Sequence, residues 1–161
     1  MSESRYARVE RERRFLVRGV PAGVVRVLRI EDQYLDGTRL RLRETTDQDG
    51  NVLRKLGHKV RLGEDASAIA HTSLYLDDAE WSLLRTLPGR RLAKTRHIVE
   101  RDGITLAVDR LDDGTLLAEL DDGDAPPSAP PPWLSVIREV TGEERWTGGS
   151  LALAEPDAPS S

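Results

Sequence analysis

The sequence predicts an α+β fold that is mainly β, an antiparallel sheet or barrel with a few flanking helices. The first observation is a period-two alternation of charged and apolar residues, clearest at residues 39–43, where arginines alternate with leucines. The second is a series of glycine-containing turns at hairpin spacing, such as Asp36-Gly37 and Asp102-Gly103. The third is that few segments carry a helical pattern. Closely spaced strands with few helices are typical of antiparallel sheets and barrels.

Seven segments carry the strand pattern. The first has Glu10, Glu12 and Arg14 on one face. The others are predicted at residues 39–43, 52–62, 72–76, 92–100, 104–111 and 115–121.

Helices are predicted in four places. Residues 77–87 begin with Asp77 at the N-cap position of a capping box and continue as an apolar stripe. A second helix is predicted at about residues 133–140, after a run of prolines. A weaker pattern favours helix at residues 20–30, and a last short helix is predicted at residues 150–154.

Chain length and composition indicate one globular domain. A chain of 161 residues with 38% apolar residues can bury a core of its own, and we assign that domain to residues 1–154. Residues 155–161 have the composition of a disordered tail. Residues 121–132 are rich in proline and polar residues, so we expect a loop or stiff linker there.

The same composition excludes several classes of function. The chain has no cysteine, which rules out disulfides and thiolate metal sites. The formal net charge of −4 argues against broad nucleic-acid binding. The sequence has no apolar run of transmembrane length, and its first residues are too charged for a signal peptide. We therefore expect a soluble, cytoplasmic protein with no membrane partner.

The charges are grouped by sign along whole strands. One explanation is that each charged face is the solvated side of an amphipathic sheet. However, solvated faces usually mix signs, and strands of one sign placed side by side would repel each other. Because Arg and Lys bind phosphate oxygens and carboxylates bind hard divalent cations, the second explanation is a site for a polyanion and a metal ion. The strand-borne charges are Glu10, Glu12, Arg14, Arg39, Arg41, Arg43, Lys55, Lys59, Arg61, Lys94, Arg96, Asp109, Glu119 and Asp121.

Eight segments, one of them a predicted helix, also occur in a recognisable order. The first, residues 9–17, reads VERERRFLV and is similar to a Glu-x-Glu-x-Lys signature followed by Phe-Leu-Val. The later segments are TRLRLRE, KLGHK, a helix around Glu80-Trp81, LAKTRH, LAVDR, LLAELD, and PPPW with EVTGEERWTGGSLALA. In this order they resemble the CYTH superfamily, the triphosphate tunnel metalloenzymes. The resemblance covers about residues 7–154.

The resemblance implies a closed eight-stranded antiparallel barrel that forms a tunnel. In the family, triphosphate lies inside the tunnel, held by Arg and Lys, with Mg²⁺ or Mn²⁺ bound by acidic residues. The implied activity is metal-dependent hydrolysis of a phosphoanhydride bond in a small triphosphate, with inorganic tripolyphosphate as the first candidate. The substrate is a small molecule, and the sequence leaves open whether the chain forms a homodimer.

Roles follow from the positions that match the family's motifs. Asp109 is expected either near the metal or as a residue that orients the basic groups. The implied metal ligands are Glu10, Glu12, Asp109, Glu119 and Asp121. The implied substrate-binding residues are Arg39, Arg41, Arg43, Lys55, Lys59, Lys94 and Arg96, and the implied catalytic residues are Arg14 and Lys94.

The chain departs from the family's pattern at four positions. Arg14 replaces the usual Lys, which keeps the charge but exchanges a compact ammonium for a planar fork. Asp121 replaces the commoner Glu and is one methylene shorter. His71 and Ser73 stand where acidic residues are often found, which removes a ligand for a second metal.

Other functions remain compatible with the same residues. A thiamine triphosphatase would use the same phosphate contacts. An adenylate cyclase, which makes cyclic AMP from ATP, would have to seat adenine at the tunnel mouth, and the few aromatic residues offer no obvious platform for it. A non-catalytic module that binds polyphosphate or triphosphate is a different class of function. The acidic pairs count against it, because carboxylates beside an anion gain nothing unless a metal joins them.

Overall fold

Ten strands and a few short helical turns make up the regular structure of the described residues. The computed structural model describes residues 5–64, 66–121 and 128–154. The predicted tail at residues 155–161 and half of the predicted linker lie outside these residues. The strands are β1 (Arg8–Val17), β2 (Val24–Leu35), β3 (Leu40–Thr46), β4 (Val52–Arg61), β5 (Ala68–Tyr75), β6 (Gly89–Arg101), β7 (Ile104–Leu111), β8 (Leu116–Asp121), β9 (Val136–Glu139) and β10 (Leu153–Ala154). The helices are α1 (Asp78–Leu84) and α2 (Gly148–Leu151), with one 3₁₀ turn at Glu144–Trp146.

Eight of the strands form a closed antiparallel barrel. Their order around the wall is β6-β2-β3-β4-β5-β1-β8-β7, and the wall closes because β7 pairs with β6. The two short remaining strands are added outside this ring: β9 pairs with β1, and β10 pairs with β6. The predicted fold, mainly β with a closed eight-stranded barrel, is confirmed.

The outer face of the wall carries the hydrophobic core. Phe15, Val108 and Ala118 alternate with residues that face the barrel interior, so they point outwards. They pack in one cluster with Leu134, from the chain that leads into β9. The apolar outer face of these strands is therefore buried under the chain that leads into β9, and other residues of the same strands face the barrel interior.

Helix α1 covers a second apolar area on the outside. Trp81 is 7% exposed and packs with Leu35 and Leu42. The helix begins as predicted: the Asp77 carboxylate accepts from the Glu80 amide, and the Glu80 carboxylate accepts from the Asp77 amide. No helix within residues 5–64, 66–121 or 128–154 is long and apolar enough to cross a bilayer.

Two predicted helices are wrong and a third is displaced. Residues 20–30 contain the first half of β2, because its valines pair with β6 and this long-range pairing overrides a weak helical pattern. Residues 133–140 contain β9, which pairs with Phe15–Val17 of β1. The helix predicted at residues 150–154 is α2, which begins earlier because Thr147 caps it, and the chain then continues as β10.

Candidate functional site

The barrel interior is a charged cavity of about 630 Å³. Alternation along the strands turns the predicted site residues inwards, while the apolar residues between them face outwards. Lys55 is the exception: it does not line the cavity, and its ammonium lies 5.2 Å from the centre of the Tyr75 ring. The predicted residues that line the cavity are Glu10, Glu12, Arg14, Arg39, Arg41, Arg43, Lys59, Arg61, Lys94, Arg96, Asp109, Glu119 and Asp121.

Asp109 holds two cations of β6 together. It accepts two hydrogen bonds from Arg96, at 2.7 and 2.8 Å, and its other contact is the Lys94 ammonium at 2.7 Å. Burial alone would raise the pKa of Asp109, but Lys94 and Arg96 outweigh it and hold this pKa well below its ordinary value. Asp109 is thus a charged, fully engaged counter-ion, which favours the orienting role over a metal-binding one.

A second buried aspartate holds two cations of β3. Asp32 of β2 accepts two hydrogen bonds from Arg43, both at 2.7 Å, and lies 3.8 Å from the Nε of Arg41. Burial would raise the pKa of Asp32, but Arg43 and Arg41 lower it to about 2. The hairpin pairing places Asp32 opposite Arg43 and Tyr34 opposite Arg41.

The cavity holds more buried positive charge than its carboxylates compensate. Arg41 is 6% exposed, and its Nε has no hydrogen-bond partner among the described residues. Burial, and then the charge of Arg43, lower the pKa of Arg41. Burial and the charge of Arg41 likewise lower the pKa of Lys59 to about 8. A buried guanidinium with an unused N–H group, among other cations, is a site that an anion would complete.

The opposite side of the cavity, formed by β1 and β8, is acidic. Arg14 lies between Glu12, at 3.4 Å, and Glu119, at 3.3 Å. Burial and the charge of Glu119 raise the pKa of Glu12. Burial would also raise the pKa of Glu119, but Arg14 and Arg96 lower it to about 2. Two partly buried carboxylates therefore lie close enough to oppose each other's charge, with one arginine between them.

Glu10 has a different neighbour on the same side. Its carboxylate is 2.8 Å from the Nδ1 of His71 and 3.8 Å from the Lys59 ammonium. Burial would raise the pKa of Glu10, but the His71 hydrogen bond and Lys59 lower it. The other ring nitrogen of His71 lies 3.3 Å from the Ser73 hydroxyl. His71, which the sequence marked as a departure, thus belongs to the acidic side as the partner of Glu10.

The acidic side fits a divalent cation by its chemistry. Glu10, Glu12 and Glu119 offer hard oxygen donors, and a cation would relieve the repulsion between Glu12 and Glu119. No three carboxylates or imidazoles within the described residues converge on one point, since basic side chains lie between them. These carboxylates would therefore have to turn away from their basic partners to bind a metal.

Residues 144–151, here named the cover segment, cross one end of the cavity. Arg14 donates a hydrogen bond to the carbonyl oxygen of Trp146. Arg61, the last residue of β4, forms an ion pair with Glu144. Arg14 therefore links the acidic side of the cavity to the chain that covers its end.

Close packing fixes the cover segment against Tyr34. A Cβ atom at Gly148 would overlap the Tyr34 hydroxyl, whereas one at Gly149 would make only ordinary contacts. Tyr34 also receives a hydrogen bond from Arg41. Gly148 is thus required by the position of a side chain that touches the basic site.

The residues that sequence reasoning missed and the structure adds to the cavity or its wall include Asp32, Tyr34, Arg90 and Glu144. The signal for the first two was present. The Asp36-Gly37 turn was recognised, and a hairpin folded at that turn places residues 32 and 34 opposite the arginines of β3. The signal was missed because residues 20–30 were predicted as a helix, which excluded a strand before this turn.

Comparison with known proteins shows a shared fold. No protein-family model and no curated protein matches the chain. Among solved structures, the inorganic triphosphatase NE1496 is similar with a TM-score of 0.56 and 24% identity, over 90% of this chain and 98% of that one. A conserved hypothetical protein from Pyrococcus furiosus has a TM-score of 0.56 and 19% identity, over 73% of this chain and 81% of its own. The PH1012 protein from Pyrococcus horikoshii OT3 has a TM-score of 0.53 and 17% identity, over 70% and 77%. At these identities the likeness shows the fold alone, which is consistent with the CYTH-like barrel expected from the sequence.

Proposed function

We propose that this protein is a metal-dependent triphosphatase that hydrolyses a phosphoanhydride bond of a small triphosphate, with inorganic tripolyphosphate as the preferred substrate. The observation that carries the proposal is the buried Arg41, whose Nε has no hydrogen-bond partner among the described residues and whose pKa is lowered by burial and by Arg43. A linear polyanion would supply the missing negative charge to several cations at once. The fold shared with an inorganic triphosphatase supports the same assignment.

The basic side of the cavity would bind and orient the phosphates. Arg41 and Arg43 on β3 and Lys94 and Arg96 on β6 keep N–H groups for phosphate oxygens beyond those engaged by Asp32 and Asp109. In a cavity partly shielded from solvent such contacts stabilise charge on transferring oxygens more than they would in bulk water. Catalysis would thus consist mainly of positioning and charge neutralisation.

The acidic side would hold the metal. Glu10, Glu12 and Glu119 are the residues placed to bind Mg²⁺ or Mn²⁺, which when bound would neutralise phosphate charge and polarise the bond to be cleaved. Arg14 would remain beside these ligands and, with Lys94, would contact the phosphate that leaves. Because Arg14 contacts both Glu12 and Glu119, it also limits how these carboxylates can turn.

A non-catalytic triphosphate-binding module is the second candidate. One observation favours it: in the described residues no three potential ligands converge on a metal position. Both candidates need the basic side of the cavity, and only the enzyme needs the acidic side. Metal dependence therefore separates them.

The deciding experiment measures phosphate release from tripolyphosphate with Mg²⁺ or Mn²⁺, with EDTA as the metal-free control. Thiamine triphosphate and ATP run in parallel, the latter also assayed for cyclic AMP. We expect metal-dependent release that Glu10→Gln/Glu12→Gln abolishes and Arg41→Gln reduces strongly. Arg29→Gln, which changes an exposed arginine on the outer face, is the matched control. Tight binding without turnover on any substrate would contradict the triphosphatase and support the non-catalytic binding module.

A further inference from the structure

Asp32 is a buried charge to which neither the sequence pattern nor the comparisons assign a role. It is 2% exposed, and both carboxylate oxygens accept from Arg43, one from Nε and one from a terminal nitrogen. The Nε of Arg41 lies 3.8 Å away. Asp32 therefore lies between the two arginines that the proposed function uses to bind phosphate.

The arrangement around Asp32 is repeated on the other side of β6. Asp109, on β7, accepts two hydrogen bonds from Arg96, as Asp32, on β2, does from Arg43. The second cation is 2.7 Å away at Asp109 (Lys94) and 3.8 Å away at Asp32 (Arg41). Strand β6 pairs with both β2 and β7, so the two aspartates flank it. The cavity thus contains two matched units, each with one buried carboxylate and two cations.

The geometry of the first unit leaves a defined set of donors. A guanidinium has five N–H groups in a planar fork, and Asp32 uses two of those on Arg43. The plane of Arg43 is thereby fixed, and its remaining N–H groups face away from Asp32. The carboxylate also offsets the repulsion between Arg41 and Arg43: burial and then the charge of Arg43 lower the pKa of Arg41, and the charge of Asp32 acts in the opposite direction.

We propose that Asp32 is a positioning residue that fixes the guanidinium plane of Arg43 for binding the phosphates. This inference rests on the anion site of the proposed function. It predicts a change in Kd opposite in sign to the one expected from charge alone. On electrostatics alone, removal of a negative charge should tighten the binding of a polyanion, because the cavity becomes more positive. If Asp32 acts by positioning, the same removal should weaken binding, because the fork loses its fixed geometry.

The test is calorimetric binding of tripolyphosphate in EDTA, so that it requires no metal and no turnover. Asp32→Asn should raise Kd by about tenfold, the change expected when one charge-assisted contact is lost. In the Arg43→Gln background the same substitution should change Kd by no more than about twofold, because its partner is already absent. Asp112→Asn, an exposed carboxylate on the outer face, is the matched control and should bind as the wild type does.

Further variants keep the test decisive if Asp32→Asn does not fold. Arg43→Lys retains the charge but removes the guanidinium fork. A positioning role therefore predicts weaker binding of tripolyphosphate, whereas a pure charge effect predicts an unchanged Kd. If turnover is observed, Asp32→Asn should raise KM about tenfold and change kcat less than about threefold. Asp32→Glu should restore part of the affinity.

Each outcome assigns the failure to one proposal. Tighter binding of tripolyphosphate by Asp32→Asn would contradict the positioning role. So would a double variant whose change in Kd equals the product of the changes caused by Asp32→Asn and Arg43→Gln alone. Binding without turnover in the wild type would contradict the proposed triphosphatase activity. The calorimetric comparison of the Asp32 variants would still decide whether Asp32 positions Arg43. A wild type that does not bind tripolyphosphate at all would overturn both.

Discussion

The two faces of the barrel wall bury opposite kinds of side chain. Neighbours in the chain show the contrast: Phe15 is 1% exposed on the outer face beside Arg14, which lines the cavity. Val108 on the outer face is fully buried, and next to it Asp109 is equally buried inside. Around Phe15 and Val108 the outer face is apolar and covered by the chain around Leu134, whereas the inner face carries the ion pairs of the cavity, with excess positive charge.

This difference separates stability from binding along the same strands. Apolar burial on the outer face stabilises the folded chain in proportion to the area removed from water. On the inner face, desolvated cations that repel one another contribute little to stability or reduce it. Substitutions one residue apart should therefore have opposite consequences, and the predictions below test that contrast.

The largest effect is expected on the outer face. Phe15→Ala should lower the free energy of unfolding by about 3–5 kcal/mol, because it leaves a cavity in a fully buried cluster. On the inner face, Arg41→Met should leave that free energy unchanged or raise it by about 1 kcal/mol, because it replaces a desolvated cation by an apolar side chain of similar length. Urea unfolding of both variants measures the difference. A loss for Arg41→Met as large as that for Phe15→Ala would contradict the separation of the two faces.

Low pH should destabilise the folded protein through one carboxylate of the inner face, that of Asp32. The pKa of Asp32 is lowered from 3.8 to about 2 in the folded protein. Its contribution to stability is present above pH 4 and is lost as the pH falls towards 2, because the unfolded chain binds the proton first. The contribution is about 2 kcal/mol.

Unfolding of Asp32→Asn across this pH range measures that contribution. The free energy of unfolding of the variant should fall less steeply between pH 4 and 2 than that of the wild type. Asp112→Asn, which changes an exposed carboxylate on the outer face, should keep the wild-type slope. Equal slopes in Asp32→Asn and the wild type would show that Asp32 is not ionised and paired in the folded protein.

The smallest effect concerns the cover segment, where the two faces meet. Gly148→Ala should lower stability by about 1 kcal/mol, because its Cβ would overlap the buried Tyr34 hydroxyl. Gly149→Ala, the matched control, should be neutral or slightly stabilising, because Ala favours helix over Gly and the space is free. Thermal unfolding and the rate of tryptic cleavage after Arg145 measure the two effects. Equal behaviour of the two variants would exclude packing of Gly148 against Tyr34.

The sequence predicted seven of the ten described strands and the inward set of charges, because both depend on local alternation. Arg39, Arg41 and Arg43 alternate with leucines, so one face of the strand had to be charged wherever the strand was placed. The N-cap at Asp77 was equally local, and the structure confirms it. The closed barrel was expected only from the resemblance to a family, because pairing between distant strands leaves no local pattern.

The rest depended on contacts between residues far apart in the chain. Strand β9 was predicted as a helix, since nothing near residues 133–140 indicates pairing with Phe15–Val17. Lys55 has the alternation of a cavity residue, yet it lies against Tyr75, because alternation gives the face of a strand and not the position along the barrel axis. The metal ligands and the catalytic roles remain predictions, since neither alternation nor burial identifies them.

Closure of the barrel also limits how copies of the chain could associate. Each of the eight wall strands has a neighbour on both sides over part of its length, so only short stretches of strand edge are left as a template for another chain. The strands outside the ring in the described residues, β9 and β10, have four and two residues. A dimer, which the sequence left open, would therefore be held mainly by side chains on its surface, with little room for a sheet that continues from one copy to the next.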